Sequence, residues 1–559
     1  MPGHTKSEEC IAMDYDLLVQ NGRVVDGSGA PEFSGDVGIA GGKIVAVGKL
    51  GGTARRTIDV GGQVIAPGFI DNHCHFDAQV LWDPLCTFAC YHGATTVING
   101  NCSLGMAPAR PDARHDLVSM LSRVEAIPVK SLEAGVEWTW ETIPEYLDAL
   151  DRRLGVNVGA LIGFSAVRRH VMGEAAYTEA ASGEQIEDMK AIVREGIVAG
   201  ALGLSSERNL RHMDLEGRVL PANVATGDEF IAVAEALAEV GAGSIQFGDS
   251  ERTELSEGLM TRVAHATGRP VISSVAGRAG SLGNDARMYA MSPPFLENTG
   301  RWTLMTVDSF SAFPAWKPVM SFSVEERKRA FADPAVRAAL RADADGPDRQ
   351  GNTPAVRWDL VYVSSAALPA NQGLVERSVT EIAQEQGKEP LDAFLDLALE
   401  EEFGTYFYQR SDMSVEAIEA ILTDPHVLVG LSDGGAHVSR RCDSHFSTFL
   451  LSYWVRERGA MSLEEAVRKL TFMSATAFGM YDRGLIRPGL AADLTVFDPD
   501  TIAPGDLDQV ADYPAEAVRM RRLCDGVDYT IVNGEVLIEH GEHTGALPGQ
   551  VIRSSAYRG

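Results

Sequence analysis

Three short tracts carry side chains that hold metal ions and move protons. Ile70-Asp-Asn-His73-Cys-His75-Phe-Asp77 closes an apolar run. On a strand, positions i and i+2 share a face, so His73 and His75 can reach one ion from the same side. Two histidines satisfied by local hydrogen bonds are the plainer alternative. Val97-Ile-Asn-Gly-Asn-Cys102 ends the next apolar run. A thiolate there is a good Zn²⁺ ligand, whereas a buried small hydrophobe is the usual fate of a free cysteine. Val429-Gly-Leu-Ser-Asp433-Gly-Gly-Ala-His437 ends a late run. A bound Zn²⁺ brings the pKa of its water to about 7, so Asp433 could take that proton and hand it to a leaving amine. An Asp in an ordinary Gly-rich turn is the alternative.

These tracts need a frame that brings distant strand ends together. Short apolar runs recur at 68–72, 93–99, 157–163, 201–205, 244–248, 270–274, 360–364 and 427–433. Helical segments separate them, with capping-box signals at Ser182/Gln185, Thr226/Glu229, Ser323/Glu326 and Ser462/Glu465. Eight strands alternating with helices predict an α/β fold, a (β/α)8 barrel over residues 67–481. The barrel enzymes build their sites at the C-terminal strand ends, where all three tracts fall. Residues 280–357, rich in Pro, aromatics and charge, are too long for one connection and read as an insertion or lid at the mouth.

Both ends of the chain are written differently. Turn signals at Asn21-Gly22, Gly41-Gly42 and Asn533-Gly534 sit between alternating apolar runs, which predicts hairpins. Residues 14–66 and 482–559 are therefore expected to form one composite β-sandwich, behind a mobile tail at 1–13.

The 559 residues carry 49 Lys+Arg against 78 Asp+Glu, a net charge of −29. That sign excludes nucleic acid and anionic membrane surfaces as natural partners. No run of 18 apolar residues and no leader-like N-terminus is present, so no membrane association is expected. Seven cysteines form no disulfide scaffold and fit reduced thiols in a cytoplasmic protein.

Pro67-Gly-Phe-Ile-Asp-x-His73-x-His75, with Gly489-Leu-Ala-Ala-Asp-Leu-Thr-Val-Phe-Asp near the C-terminus, resembles the amidohydrolase superfamily. Gly100-Asn-Cys102, Arg123-Val-Glu-Ala-Ile-Pro, Val171-Met-Gly, Gly200-Ala-Leu-Gly-Leu-Ser and Ser432-Asp-Gly resemble its N-acyl-D-amino-acid deacylase branch, from about residue 14 to 545. The resemblance implies a Zn²⁺ centre, hydrolysis of an amide in a small acylated substrate, and self-association into a homo-oligomer. It makes His73 and His75 ligands from the first strand, Cys102 a ligand from the second, and Asp433 both a ligand and the catalytic acid/base.

The departures are equally specific. Deacylases of this branch carry a histidine at the end of strand five and another at the end of strand six. Here those tracts read Ile245-Gln246-Phe-Gly-Asp249 and Pro270-Val-Ile-Ser273-Ser274. One divalent ion, Zn²⁺ or another, is therefore expected, with Gln246 or Asp249 able to offer oxygen in place of nitrogen; a two-metal site and a metal-poor site stay open. Arg440 and Arg441 offer forks for a substrate carboxylate, and His437, Ser206, Arg208 and Gln246 are further candidates for substrate binding. The functional expectation is amide hydrolysis. The alternatives are the same fold acting on a cyclic amide, a lactone or a natural-product or peptide intermediate, and a catalytically silent barrel.

Overall fold

The computed structural model describes residues 14–249, 254–273, 287–297, 300–305, 310, 313–346 and 355–558. The chain divides into two compact units, one of residues 1–294, 419–438 and 442–559, the other of 295–418 and 439–441.

The first unit is built on eight parallel strands paired in chain order. They are β1 (Phe69–Asp71), β2 (Ala94–Asn99), β3 (Asn157–Gly163), β4 (Gly203–Arg208), β5 (Ser244–Asp249), β6 (Val271–Ser273), β7 (Met288–Ser292) and β8 (Val427–Val429). β1, β2 and β3 are buried along their whole length, as strands covered on both faces must be. The sheet curls into a barrel, and its first and last strands meet just past their ends. There Cys74 bridges Gly434, Asp433 N donates to His73 O at 3.2 Å, and His75 N donates to Gly434 O at 2.7 Å. Closure therefore falls on the residues expected to carry the chemistry.

The seventh strand differs from the expectation. Met288–Ser292 fills that place, pairing β6 on one side and β8 on the other. Val361–Ser365, expected there, pairs antiparallel with Tyr406–Gln409 inside the second unit. The alternation Leu360-Val-Tyr-Val-Ser is stronger strand language than Met-Tyr-Ala-Met-Ser, but propensity does not say which sheet a strand joins.

Helices on the outside pin the strand ends. Among them are α1 (Arg114–Glu125), α2 (Phe164–Met172), α3 (Pro221–Val224) and α4 (Gly227–Val240). Ser182 and Ser323 form complete capping boxes, but at Thr226 only half the box exists. The Glu229 carboxylate is used elsewhere: it pairs with the fully buried Arg168 of α2 at 2.6 Å. The Arg168 guanidinium also donates to the carbonyls of Ala176, Pro221 and Glu179, stitching α2, α3 and α4 together behind β3 and β4.

Strands from both termini form one nine-stranded sheet. It encloses a core that includes Val19, Val37, Ile44, Leu494, Val496 and Ile531. The sheet forks where the strand Asp14–Val24 pairs with Thr53–Asp59 along its first half and with Val64–Pro67 at its end. The hairpins at Gly41-Gly42 and Asn533-Gly534 form, each with two positive φ values. Asn21-Gly22 makes no hairpin. Only Asn21 has positive φ, and the pair is a bulge inside a continuous 11-residue strand.

The second unit has its own aromatic core of Trp302, Phe310, Trp316, Trp358, Phe394 and Phe407, with Phe310 stacked on Trp316 at 4.2 Å between centroids. It comprises Phe295–Ile418 together with Ser439–Arg441, and most of the expected 280–357 insertion falls within it. Residues 280–286, 298–299, 306–309, 311–312 and 347–354 of that expected stretch lie outside the described residues. No helix among the described residues is long and apolar enough to cross a membrane.

Candidate metal centre

His73 and His75 follow β1 in extended chain and are 2 % and 1 % exposed. Cys74 between them points the other way, its thiol against Ile98 O and Asn99 Oδ1, so the two imidazoles share one side. Their ring centroids are 5.3 Å apart.

Cys102 lies in a turn past β2, with φ +52. Asn101 Nδ2 holds the turn by donating to Cys74 O at 3.1 Å and Ile98 O at 2.7 Å. Gly100 makes it possible: at φ +83, a Cβ there would stand 2.2 Å from Leu161 O of β3. The Cys102 sulfur consequently comes within 3.5 Å of His73 Nε2.

Asp433 sits past β8 at φ +51. Ser432 fixes its loop, donating to Asp71 Oδ2 at 2.6 Å and accepting from Gly434 N at 2.8 Å. Asp433 Oδ1 is 3.6 Å from His73 Nε2 and 3.8 Å from His75 Nε2. The ligand atoms of His73, His75 and Cys102 all lie within 4.8 Å of one another.

These separations suit a metal ion. Zn–N of about 2.0–2.1 Å and Zn–S of about 2.3 Å give a tetrahedron with edges of roughly 3.3–3.6 Å. The Cys102–His73 and His73–Asp433 separations match such edges, and the donor set is the soft sulfur and imidazole nitrogen that zinc takes.

Burial dominates the electrostatics. It pushes Asp71 and Asp77 up to about 7 and depresses His73, with Asp433 opposing the last. It also holds the Cys102 thiol well above its usual range, helped by the nearby charges of Glu125, Glu207 and Asp433. Losing that proton is therefore costly unless a cation arrives, which couples thiolate formation to metal binding.

The other sequence candidates separate. Gln246 of β5 is in the cluster: its Oε1 accepts from Cys102 N at 3.2 Å, and its buried Nε2 has no hydrogen-bond partner among the described residues. Ser206 of β4 is buried, its hydroxyl likewise without a hydrogen-bond partner among the described residues. His437, at φ +50, donates its backbone N–H to Glu125 O at 2.5 Å. Arg208 takes a structural role, donating to the carbonyls of Glu207, Ala222 and Ala225 and so locking the chain after β4. Arg440 and Arg441 belong to the second unit, where the Arg441 side chain and the Arg440 carbonyl pack on Gly300. Nothing is described of the Asp249 side chain.

Two carboxylates join the sequence candidates, Glu125 from the Arg123-Val-Glu-Ala-Ile-Pro tract and Glu207 from β4. Glu125 closes α1 with Oε1 3.5 Å from His75 Nδ1. An acid in the last turn of a helix faces the negative end of the dipole, and that misfit was the available signal. Glu207 of β4 is 1 % exposed and receives His212 Nδ1 at 2.6 Å and Asn223 Nδ2 at 2.9 Å. No spacing rule links it to His212.

Comparison with known proteins gives a consistent result. The profile of the amidohydrolase family matches residues 56–538. The D-aminoacylase of Alcaligenes xylosoxydans xylosoxydans is 29% identical, over 97% of this chain and 98% of its own. The N-acyl-D-aspartate deacylase of the same organism is 28% identical, over 96% and 95%. The structure of an N-acyl-D-glutamate deacylase from Bordetella bronchiseptica, complexed with zinc and a phosphonate mimic of the tetrahedral intermediate, superposes with a TM-score of 0.63. It is 24% identical, and the match covers 97% of this chain and 100% of that one.

Proposed function

Since the chain belongs to the amidohydrolase family, we propose that it hydrolyses the amide bond of a small N-acylated amino acid, with His73, His75 and Cys102 holding one divalent ion, Zn²⁺ for preference, beside Asp433. The observation that carries this reading is the approach of Cys102 Sγ and Asp433 Oδ1 to within 3.5 and 3.6 Å of His73 Nε2 at the closure of the barrel. An ion held there supplies Lewis acidity toward water and toward the amide carbonyl.

The chain's own groups do the rest. Asp433 Oδ1 lies beside both imidazoles, so its carboxylate accepts the proton of the attacking water and returns it to the leaving nitrogen. Amide and water become a carboxylic acid and an amine, with no other reactant. The buried imidazole of His73 is held neutral by desolvation, which leaves its nitrogen lone pair available to an ion.

One observation favours a second substrate class. Gln246 of β5 contacts the Cys102 turn with an amide rather than an imidazole, so the centre is poorer in nitrogen donors than the resemblance implied. A cyclic amide or lactone is the corresponding second reading. Metal analysis of protein purified without chelators is expected to give one equivalent per chain, and a release assay over N-acyl-D-, N-acyl-L- and cyclic substrates is expected to single out the N-acyl amino acids. Two equivalents, or none, would overturn the single-ion centre; turnover of the cyclic substrates alone would overturn the deacylase reading in favour of the second.

A further inference from the structure

Glu125 is the last residue of α1, and Ala126 at φ +51 ends the helix directly behind it. Its carboxylate is 3 % exposed and lies at the negative end of the helix dipole. A charge placed so badly for the helix needs partners, and two imidazoles supply them. Oε1 is 3.5 Å from His75 Nδ1 and Oε2 is 4.0 Å from His437 Nε2. The backbone carbonyl of the same residue accepts the His437 N–H at 2.5 Å. The opposite nitrogen of His75, Nε2, looks to Asp433 Oδ1 at 3.8 Å. The 3.5 Å approach to His75 Nδ1 is an ion-pair separation that a small rotation of the ring would close into a hydrogen bond, and Glu125 is the carboxylate paired with that nitrogen.

We infer that Glu125 is a positioning residue of the metal centre, orienting His75 with Nδ1–H toward the carboxylate and Nε2 toward the ion, and tying His437 to the same frame. The inference rests on the metal-centre reading above and adds a residue to it. A carboxylate behind a ligating imidazole fixes the tautomer, stops the ring from rotating and raises the basicity of the other nitrogen. The gain matters most where donors are few, as they are here with Gln246 and Ser273, and no imidazole, on β5 and β6. Glu125 also joins β1 to the loop after β8, because one side chain reaches an imidazole from each. Loss of it should loosen the ion without unfolding the barrel.

The test is the Zn²⁺ dissociation constant of the full chain, measured by competition with a chromophoric chelator, together with the Tm of the metal-free protein. Glu125→Gln keeps the volume and removes the charge. Its Zn²⁺ affinity is expected to fall about 10–100-fold while the metal-free Tm stays within a few degrees of wild type. Glu125→Asp keeps the charge but draws the carboxylate back by one methylene, and it is expected to lose affinity by a smaller factor. It decides the matter if Glu125→Gln does not fold. A wild-type dissociation constant in either folded variant would overturn the role of Glu125 and leave the centre standing. A wild-type chain that takes up no Zn²⁺ would instead overturn the centre itself, and this inference with it.

Discussion

Asp433→Asn separates the proton-transfer role of this residue from its place in the backbone. Asp433 holds φ +51, a region that Asn tolerates and most residues do not. The fold around it is fixed by other groups: its own N–H donates to His73 O, and Ser432 ties the loop to Asp71. Asn therefore preserves the loop and the volume and removes only the basic oxygen that lies 3.6 and 3.8 Å from the two imidazoles. A positioned general acid/base contributes about 10²–10⁴ in rate, so kcat should drop by that factor, or about 2.7–5.4 kcal/mol in activation free energy. Ala at the same position would add about 1–2 kcal/mol of left-handed strain and confuse the two effects. The assay is amine release from an N-acyl amino acid, with metal content and Tm measured on the same preparations. A folded Asp433→Asn enzyme with wild-type metal content and kcat within fivefold of wild type would refute the role.

Three further outcomes follow from the packing. His92 is buried between Thr448 and Arg522 O, its Nε2–H bonded to that carbonyl, and burial depresses its pKa to about 4. The unfolded chain takes up a proton near 6.5 and the folded one does not, so this stability, about 3 kcal/mol, is complete above pH 6.5 and lost as pH falls toward 4. Chemical denaturation at pH 4.5 and 7 should show a smaller difference in His92→Gln than in wild type. Glu229→Gln strands the buried Arg168 charge and should cost about 3–5 kcal/mol, whereas the double replacement Arg168→Met, Glu229→Leu should recover part of it; calorimetry on the three proteins tests the coupling. Gly100→Ala places a methyl against Leu161 O and must displace the Cys102 turn, so it should lower the Tm and the bound metal together, measured by melting and metal analysis.

The residues of the centre were legible because their signals are local. His73 and His75 share a face by the alternation of extended chain, and Cys102 and Asp433 sit among the small residues of sharp turns. The hairpins at Gly41-Gly42 and Asn533-Gly534 were legible for the same reason, since two positive φ values specify the turn. Asn21-Gly22 carried the same letters and formed a bulge, because the strands on either side of Asp14–Val24 keep it straight. The seventh barrel strand was missed where the competition was between sheets. Val361–Ser365 has the stronger propensity, yet its partner, Tyr406–Gln409, lies about forty residues further on, and both belong to the second unit rather than to the barrel.

Residue patterns alone picked out the three strand ends as the place for metal chemistry, because alternation and turn chemistry act over a few residues, while the reaction class came from the resemblance of whole motifs to the amidohydrolase superfamily. The tertiary structure alone decided which charges stand behind those ends. Glu125 comes from a helix some fifty residues after His75, and Glu207 from a strand about a hundred residues after Cys102. Such contacts are made by barrel closure, and burial then gives them their strength, since a carboxylate that would be screened in water acts at full force on a neighbour it shares a dry site with.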